Sequence, residues 1–565
     1  MAFSNIDAAE YRKAGVWEDR TVTSFLNAAV ATTPEALAVV DGRVRLDYRE
    51  LAAASGRLAA ALSRHRLSRG AVVSYQLPNW HETAVIHHAV TASALLNNPI
   101  IPIYRHRELA FILGQAKPDV MFIPHKFRGF DYVSMFQQLI AEQKLSLLPV
   151  VVRPEGQLPP GFETFDQFVG LASGDFELPD LSEPASPTLL LYTSGTTASP
   201  KGVLHSHESL VYENRSMISW LGLKSTDVVF MASPVTHITG VLYGMQLPPM
   251  LAAPVVYQDV WDAVGAATLI EERGATFTVA ATPFLAGIVA EYEARGAASS
   301  LRIFACGGAD VPPQLVTTAR ERLDCAVVRV YGSTEFPTFC ASTPDDPPAK
   351  AANTDGRPIG PVAHRIVDEE GGPLETGLAG ELFVRGPDCF QGYLDSTLNA
   401  ESFSADGYFK TGDLASEDRD GFITIHGRKK DIIIRNGENI SAKEVEDLLF
   451  QHPSVREVAV VAMPDPLVGE RACAYVALNN GCQFSEIDMK THLDGCRVAR
   501  QKYPERLELM PGGLPKTASG KIQKFKLRDD IRQKLESERS GGQGSGPTTT
   551  DAGRTGSKSS VSAAE

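Results

Sequence analysis

The sequence predicts an α/β protein with a large N-terminal domain of stacked βαβ sheets, a small barrel-like subdomain and a small, mobile α+β C-terminal domain. The large domain is predicted by short β-branched runs that alternate with amphipathic stretches over most of the first 430 residues, a pattern typical of parallel sheets. Glycine-bounded strands after about residue 380 predict the subdomain, and a new compact unit after residue 431 predicts the C-terminal domain.

Each part of the chain has its own pattern. In the large domain, LRIFACGG (301–308) and CAVVRVYG (325–332) are predicted strands on either side of a helical stretch. In the subdomain, GELFVRG and GFITIHG are short strands between glycines, as in a small barrel or meander. The length of 565 residues also requires two or more domains, because it exceeds what one hydrophobic core holds.

The C-terminal unit begins with the predicted strand DIIIR and enters a helix at Ser441. Ser441 and Glu444 have the spacing of a capping box, in which each side chain satisfies a backbone donor at the helix start. REVAVVAMPD and ACAYVAL are two further predicted strands. We therefore divide the chain into an N-terminal domain (1–427), a hinge (428–431), a C-terminal domain (432–536) and a Gly-, Ser- and Thr-rich tail (537–565), which is predicted to be disordered.

Composition and charge limit the function classes. A hydrophobic content of 43% and a charged content of 22% are typical of a soluble globular protein. The formal net charge of −14 argues against nucleic acid or an anionic membrane as a partner. The most apolar window, residues 84–104, contains His, Asn and Pro and is a poor membrane span. The seven cysteines are scattered without zinc spacing, so we predict reduced thiols in a cytoplasmic protein; oligomeric state stays open.

The stretch TSGTTASPKG (193–202) has the composition of a phosphate-binding loop. It is not a Walker A loop, because the fifth residue after Gly195 is Pro200, and it lacks the G-x-G-x-x-G pattern. Its hydroxyl groups, glycines and the cation of Lys201 nevertheless suit a phosphate chain. On these residues alone, a polar surface loop remains the alternative.

Four further motifs follow this loop: YGSTE (331–335), YFKTGDLA (408–415), GRKKDIIIRNGENISAKEVE (427–446) and PKTASGKIQK (515–524). In this order they resemble the adenylate-forming superfamily of acyl-CoA synthetases, peptide-synthetase adenylation domains and beetle luciferases. The resemblance covers roughly residues 20–530. It implies that ATP activates a carboxylic acid as an acyl-adenylate, with release of pyrophosphate, before the acyl group passes to a thiol.

The resemblance also implies the nucleotide site. Thr334 would donate to the α-phosphate, Glu335 would hold Mg²⁺, and Tyr331 would stack on adenine beside the turn CGGA (306–309). Asp413 and Arg428 would bind the ribose hydroxyls. The full set implied to bind ATP or AMP is Thr193, Ser194, Gly195, Thr196, Thr197, Lys201, Gly307, Gly308, Ala309, Tyr331, Gly332, Ser333, Thr334, Asp413 and Arg428.

The same resemblance assigns roles to the C-terminal unit. Lys521 matches the lysine that reaches the carboxylate and α-phosphate oxygens during adenylation, and Lys430 matches the hinge about which the small domain rotates. After rotation, Arg435, Gly437 and Glu438 would line the path of the coenzyme A arm. Rotation is required since Lys521 must leave before a thiol can approach the same carbonyl.

The acid is predicted from the segment around His237. His237 matches a position at the junction of acyl pocket and pantetheine tunnel, although a structural histidine is the alternative, and Gly240 in the acyl pocket is consistent with an aliphatic or cyclic acyl group. No carboxylate stands at 237–240 to grip an ammonium group, which favours an acid without an amine. Together with NPIIPIYRHREL (98–109), this stretch most resembles ligases of short- or medium-chain and alicyclic acids, such as cyclohexanecarboxylate–CoA ligases.

Three functions remain open at this point. The first is a carboxylate–CoA ligase that uses ATP, Mg²⁺ and coenzyme A. The second is a stand-alone adenylating enzyme that loads the phosphopantetheine of a carrier protein, and the third is a nucleotide-binding regulatory module without catalysis. One local prediction is separate: Ala198 replaces a glycine usual in relatives, and we expect a negative φ there because alanine disfavours positive φ.

Overall fold

A computed structural model of the chain describes residues 8–170, 177–193, 200–435, 438–517 and 520–541. Its strands, in chain order, are Leu37–Val40 (β1), Arg45–Asp47 (β2), Val72–Tyr75 (β3), Leu96–Pro99 (β4), Val120–Pro124 (β5), Lys126–Phe127 (β6), Phe130–Asp131 (β7), Leu148–Val152 (β8), Glu163–Thr164 (β9), Pro187–Thr193 (β10), Lys201–Ser206 (β11), Val229–Met231 (β12), Val255–Tyr257 (β13), Phe277–Ala280 (β14), Ile303–Gly307 (β15), Ala326–Tyr331 (β16), Cys340–Ala341 (β17), Arg357–Pro358 (β18), Ala363–Val367 (β19), Gly380–Arg385 (β20), Gly392–Tyr393 (β21), Phe409–Glu417 (β22), Ile423–Arg428 (β23), Ile433–Arg435 (β24), Glu438–Ile440 (β25), Val455–Asp465 (β26), Gly469–Leu478 (β27) and Arg506–Leu509 (β28).

The α-helices are Ala8–Lys13 (α1), Val22–Thr32 (α2), Tyr48–Arg64 (α3), His81–Ala92 (α4), His106–Ala116 (α5), Tyr132–Gln143 (α6), Phe165–Val169 (α7), His207–Leu221 (α8), Ile238–Gly240 (α9), Leu247–Leu251 (α10), Ala263–Arg273 (α11), Thr282–Arg295 (α12), Pro313–Leu323 (α13), Pro348–Asn353 (α14), Asn399–Ser402 (α15), Ala442–Phe450 (α16), Glu486–Gly495 (α17) and Lys524–Gly541 (α18). A π-helical turn, Val241–Gln246, joins α9 to α10. Within the described residues, no helix combines the length and apolar character needed to span a bilayer.

Two large sheets form the N-terminal part. One has the order β18-β17-β16-β15-β14-β12-β13-β1-β2 and the other β21-β11-β10-β4-β3-β5-β8-β9. The central strands of both are parallel, whereas β2, β11, β17, β18 and β21 are antiparallel at the edges. A shared core contains Val73 and Leu189 from one sheet and Val229 and Ile303 from the other. This confirms the predicted stacked βαβ sheets, whose strands are apolar because helices cover them.

The segment predicted as a small barrel or meander is a four-stranded antiparallel sheet of order β19-β20-β22-β23. Its own core includes Phe390, Phe403 and Phe409, packed ring against ring. Strand β21 from the same segment pairs with β11 of the second large sheet, through Val203 and Tyr393. The subdomain is therefore tied to the strand that follows the phosphate loop.

The C-terminal part contains an antiparallel sheet of order β25-β24-β27-β26, with β28 parallel to β27. The two strands predicted from REVAVVAMPD and ACAYVAL are β26 and β27. Ser441 caps α16 by accepting from the Glu444 backbone N–H at 3.2 Å, but the reciprocal half of the predicted capping box is wrong, since the Glu444 carboxylate accepts from Lys502 Nζ at 2.7 Å instead. Helix α18 continues past residue 536 to Gly541.

Candidate active site

The phosphate loop connects two antiparallel strands. Residues Thr193 and Lys201 are register partners at the ends of β10 and β11, so the hairpin holds the lysine beside the start of the loop. Ser194, Gly195, Thr196 and Thr197 lie outside the described residues, as does Ala198 with its predicted φ. The Lys201 ammonium lies over the ring of Tyr393, 5.0 Å from its centroid.

The second part of the site stands where β15 and β16 end side by side. Gly307 pairs with Val330 across the two parallel strands, and a Cβ on Gly307 would lie 2.2 Å from the Val330 carbonyl oxygen. A Cβ on Gly332 would lie 1.9 Å from the Pro337 carbonyl oxygen. Both glycines are needed because neighbouring backbone leaves no room for a side chain. Gly308 has a φ of +75° and, with Ala309, forms the turn after β15. Ligands of α/β sheets bind at such carboxyl ends of parallel strands.

The predicted ribose residues join this edge from the four-stranded sheet. Asp413 on β22 and Arg428 on β23 are register partners, with Arg428 Nε 3.3 Å from Asp413 Oδ1. Tyr331 donates its hydroxyl hydrogen to Asp413 Oδ2 at 2.6 Å. Burial, followed by the charge of Asp413, raises the pKa of Tyr331 and keeps the phenol neutral. The structure thus brings the three residues together, while adenine stacking by Tyr331 stays a prediction.

Glu335 belongs to the loop of residues 331–335, which we call the nucleotide loop. It connects this loop to the predicted phosphate loop. Its Oε1 accepts from the Tyr393 hydroxyl at 2.9 Å, and Lys201 lies over the same ring. The backbone N–H of Glu335 donates to Ser333 Oγ at 3.2 Å, which closes a tight turn. Sequence reasoning missed Tyr393; its only signal was the dipeptide Gly392–Tyr393 after a glycine- and proline-rich turn.

His205 is a second residue whose role the sequence did not show. His205 Nε2 lies 2.7 Å from the Thr334 carbonyl oxygen, and burial lowers the pKa of this histidine to about 4. The imidazole is therefore neutral at pH 7, and its Nε2–H donates to Thr334. A buried neutral histidine on β11 fixes the loop that carries Thr334.

Lys521 reaches this edge from the C-terminal unit. Its backbone N–H donates to Thr517 Oγ1 at 3.0 Å, which folds the lysine loop back on itself. A Cβ on Gly520 would lie 3.0 Å from Pro283 Cγ at the start of α12, so the loop packs directly on the large domain. Ala518 and Ser519 lie outside the described residues.

The charge of Lys521 is placed among the predicted ribose residues. Lys521 is an exposed residue. Desolvation of its ammonium group, followed by the positive charge of Arg428, lowers the pKa of Lys521, whereas the charge of Asp413 opposes the shift. The three side chains therefore share one electrostatic environment, as adenylation chemistry requires.

His237, predicted for the acyl pocket, is influenced by the charge of the same lysine. Burial, and then the charge of Lys521, lowers the pKa of His237 to about 4, so the imidazole is neutral at pH 7. Its Nδ1 accepts from the Thr239 backbone N–H at 3.5 Å, at the start of α9. A Cβ on Gly240 would lie 2.1 Å from the Pro234 carbonyl oxygen, so packing alone requires this glycine. The assignment of Gly240 to the acyl pocket stays a prediction.

The predicted hinge residue lies near Arg428, whereas the predicted coenzyme A residue Arg435 pairs within the C-terminal unit. Lys430 lies in a 3-10 turn, Lys429–Asp431, and burial, followed by Arg428, lowers its pKa to about 8. Arg435 is held within the C-terminal unit, where it pairs with Glu505 at 2.8 Å. Gly437 and the side chain of Glu438 lie outside what the structure describes.

The fold and this arrangement of residues define an adenylate-forming enzyme. A sequence model of the AMP-binding enzyme family matches residues 26–394, and one of the AMP-binding enzyme C-terminal domain matches residues 444–521. The chain belongs to this family and is an acid–thiol ligase of the adenylate-forming type.

Similar proteins include both kinds of acceptor chemistry. The chain is 33% identical to the medium-chain fatty-acid–CoA ligase of Escherichia coli, over 95% of this chain and 94% of that one. It is 32% identical to the salicyl-AMP ligase / salicyl-S-ArCP synthetase of Mycobacterium tuberculosis, over 96% and 94% of the two chains. The ATP-bound structure of MatB from Rhodopseudomonas palustris superposes with a TM-score of 0.80 at 25% identity, over 91% of this chain and 99% of that chain.

Proposed function

We propose that this protein is an ATP-dependent carboxylate–CoA ligase that acts through an acyl-adenylate on a short- or medium-chain or alicyclic acid and releases AMP and pyrophosphate. The observation that carries the proposal is the packing of the lysine loop on the large domain, where a Cβ on Gly520 would lie 3.0 Å from Pro283 Cγ. The charge of Lys521 there acts together with those of Arg428 and Asp413 and lowers the pKa of His237. Similarity to a medium-chain fatty-acid–CoA ligase supports the class of acid and the acceptor.

In the first half-reaction the carboxylate oxygen attacks the α-phosphorus, and the bond to pyrophosphate breaks. Two anions approach each other, so the residues of the site must supply cations and hydrogen-bond donors. The Lys521 ammonium contacts the developing charge, Thr334 donates to the α-phosphate, and Lys201 holds the departing phosphates. Asp413 and Arg428 fix the ribose, so that the α-phosphorus lies in line for attack.

The residues also fit Mg²⁺. The half-buried carboxylate of Glu335 would hold the ion, because an oxygen ligand suits a hard cation that keeps most of its waters. When bound, the ion would neutralise charge on the phosphate chain. Tyr393 orients the Glu335 carboxylate for this role through its hydrogen bond at 2.9 Å.

In the second half-reaction a thiol displaces AMP from the acyl group. We propose that domains 1–427 and 432–536 rotate about residues 428–431, with Lys430 as the pivot, and that the tail predicted at 537–565 starts only after Gly541, where α18 ends. Rotation withdraws Lys521 and presents Arg435, Gly437 and Glu438 to the pantetheine arm. A cytoplasmic setting, where ATP and coenzyme A are available and thiols stay reduced, completes the proposal, and the seven unpaired cysteines support it.

Loading of a carrier-protein phosphopantetheine is the second candidate function, favoured by the similarity to salicyl-S-ArCP synthetase. Pyrophosphate release, measured across aliphatic, alicyclic and aromatic acids with and without coenzyme A, separates the two. Turnover that needs coenzyme A supports the ligase. ATP–pyrophosphate exchange without a coenzyme A product supports carrier loading, and no acid-dependent signal contradicts both.

A further inference from the structure

A buried group of polar side chains lies next to the nucleotide loop. It comprises Glu213 on α8, Tyr243 on the π-helical turn, Thr338, and Asp388 in the turn before β21, and we call it the carboxyl cluster. Each of the four is at most 4% exposed. Buried carboxyl groups are costly unless they are neutral or hydrogen-bonded, so a cluster of two needs an explanation.

Three oxygens of the carboxyl cluster form a closed triangle. The Tyr243 hydroxyl donates to the Glu213 carboxyl group in a short hydrogen bond, and Thr338 Oγ1 donates to Glu213 Oε1 at 2.6 Å. The Tyr243 and Thr338 oxygens are themselves 2.9 Å apart. The three oxygen–oxygen contacts need three hydrogens, but the hydroxyl groups of Tyr243 and Thr338 supply only two. Burial raises the pKa of Glu213, so a protonated Glu213 carboxyl group can supply the third.

Asp388 completes the carboxyl cluster. Neither of its side-chain oxygens has a well-formed hydrogen-bond partner among the described residues. Burial, and then the charge of Glu213, raises the pKa of Asp388. The pair therefore retains at least one proton at pH 7. Two further groups face Asp388, namely Tyr212 on α8 and Cys389. The Tyr212 hydroxyl likewise lacks a well-formed hydrogen-bond partner in the described part of the chain.

The carboxyl cluster connects the two halves of the proposed substrate site. Tyr243 belongs to the π-helical turn that directly follows His237–Gly240, the predicted acyl side. Thr338 belongs to the turn that begins with Tyr331–Glu335. The Glu335 carbonyl oxygen also accepts from the Phe390 backbone N–H at 2.8 Å, two residues after Asp388. Isolated π-helical turns are rare and are concentrated at functional sites.

We propose that Tyr243, Glu213 and Thr338 are positioning residues that couple the acyl side of the site to the loop carrying Thr334 and Glu335. A bound acid that fixes the π-helical turn also fixes Tyr243, and the triangle passes this restraint to Thr338 and the nucleotide loop. Acid and magnesium–ATP then favour each other's binding. The coupling rests on the proposed function, since it assigns the two sides of the site to acid and nucleotide.

The test uses hydroxyl-deletion variants with matched controls. Y243F and T338V each remove one corner of the triangle, and with it one hydrogen bond to Glu213 and the contact between Tyr243 and Thr338, whereas T338S keeps the hydroxyl. Y257F is the control for Y243F, because Tyr257 is also buried and its hydroxyl donates to the Gly244 carbonyl oxygen of the same π-helical turn at 2.9 Å, away from the nucleotide loop. Pyrophosphate release is measured with octanoate and with cyclohexanecarboxylate as magnesium is varied.

We expect Y243F and T338V to raise the magnesium concentration for half-maximal rate about tenfold, the loss expected for one hydrogen bond to a carboxyl group. Y257F and T338S should remain within about twofold of the wild type, because each keeps the triangle intact. Equal behaviour of Y243F and Y257F, or of T338V and T338S, would overturn the coupling. The threonine pair provides the test if Y243F does not fold.

Failure of the proposed function is recognised separately. If the wild type releases no pyrophosphate with any acid, the affinity for magnesium–ATP is measured by calorimetry in the wild type and the same four variants. Weaker binding by Y243F and T338V than by their controls supports a link between the carboxyl cluster and the nucleotide loop. Unchanged affinity overturns it.

Discussion

At the scale of single residues, the site depends on side chains whose protonation is set by their surroundings. His205 and His237 are neutral because burial lowers the pKa of each to about 4. Lys521 is exposed, and the charges that act on it include those of Arg428 and Asp413. Because both histidines are neutral at pH 7, we predict that the ammonium of Lys521, and not an imidazolium, meets the reacting anions.

The first prediction concerns Lys521. Lys521→Ala should reduce acyl-adenylate formation by at least ~10²-fold, because it removes the charge that meets the developing negative charge. Thioester formation from preformed acyl-adenylate should be largely spared, since the lysine has left the site by then. ATP–pyrophosphate exchange and single-turnover thioester formation measure the two steps. Lys526→Ala, an exposed lysine on α18, is the matched control, and equal loss of both half-reactions would contradict the assignment.

A second prediction follows from the pKa of the same lysine. Adenylation needs the protonated amine, and desolvation lowers the pKa of Lys521. The rate of pyrophosphate release should therefore fall as pH rises, and it should fall at a lower pH than the one at which a free lysine loses its proton. No inflection from His237 is expected between about pH 5 and 8, the range of an unperturbed histidine, since its pKa is about 4. A pH profile of the exchange reaction checks both points, and an alkaline limb that persists in Lys521→Ala would exclude Lys521 as its source.

The third prediction concerns stability. The pKa of Glu213 is raised in the folded state by burial, so its contribution to stability is fully present below the ordinary pKa of a carboxyl group and is lost as pH rises through the folded value. In E213Q, which cannot ionise, the midpoint of thermal unfolding should fall less steeply than in the wild type between about pH 4.5 and about 7, the interval between the ordinary and the folded pKa of Glu213. The exposed Glu35→Gln is the control. Parallel curves for E213Q and wild type would contradict a raised pKa.

At the scale of elements, the site is assembled where strands end. Strands β15 and β16 end side by side, the β10–β11 hairpin brings Lys201, and the β22–β23 pair brings Asp413. Close backbone packing at these ends requires glycine at 307 and 332. The loops are therefore held by strands whose own burial is extensive, which keeps the donors fixed before substrate arrives.

The fourth prediction tests this packing. Gly332→Ala places a methyl group 1.9 Å from the Pro337 carbonyl oxygen, so the loop must shift and adenylation should fall by more than about tenfold. Gly114→Ala is the control, because it lies in α5 with no atom near the added methyl group and should stabilise the helix by about 1 kcal/mol. Exchange rates and thermal midpoints are measured together. Unchanged exchange in Gly332→Ala would show that the loop is not held as described.

At the scale of the whole molecule, the structure shows one arrangement of the two units. The lysine loop packs on the start of α12, and a Cβ on Gly520 would lie 3.7 Å from the Cβ of Ala281. This separation matches the Cβ–Cβ distance of about 3.8 Å in disulfides. The contact would have to break for the proposed rotation.

The fifth prediction uses that contact. The double variant Ala281→Cys/Gly520→Cys should form a disulfide, despite the φ of +84° at residue 520. The oxidised protein should make one acyl-adenylate per site but no thioester, and dithiothreitol should restore turnover. Pyrophosphate burst and thioester formation are measured before and after reduction, with Ala281→Cys alone as the control. Normal thioester formation by the cross-linked protein would contradict the need for rotation.

Much of this could be predicted from the sequence alone. The alternation of β-branched and amphipathic stretches predicted the stacked βαβ sheets, and five motifs in order indicated the family. Both predictions succeed because they depend on local residue patterns. Of the capping box predicted at Ser441 and Glu444, only the Ser441 half was confirmed, because Glu444 pairs with Lys502 in a distant segment. Local sequence does not report such long-range partners.

The sequence by itself determined the family, because five motifs in a fixed order are local patterns of residue type and spacing. The roles that this family implies for the phosphate loop, Thr334, Glu335, Asp413 and Lys521 stay predictions. The tertiary structure alone decided which groups meet. Tyr331 on Asp413, Tyr393 on Glu335, His205 on Thr334 and the carboxyl cluster all join residues far apart in the chain. Their pKa values follow from burial and neighbouring charges, which exist only after the strands and domains have packed.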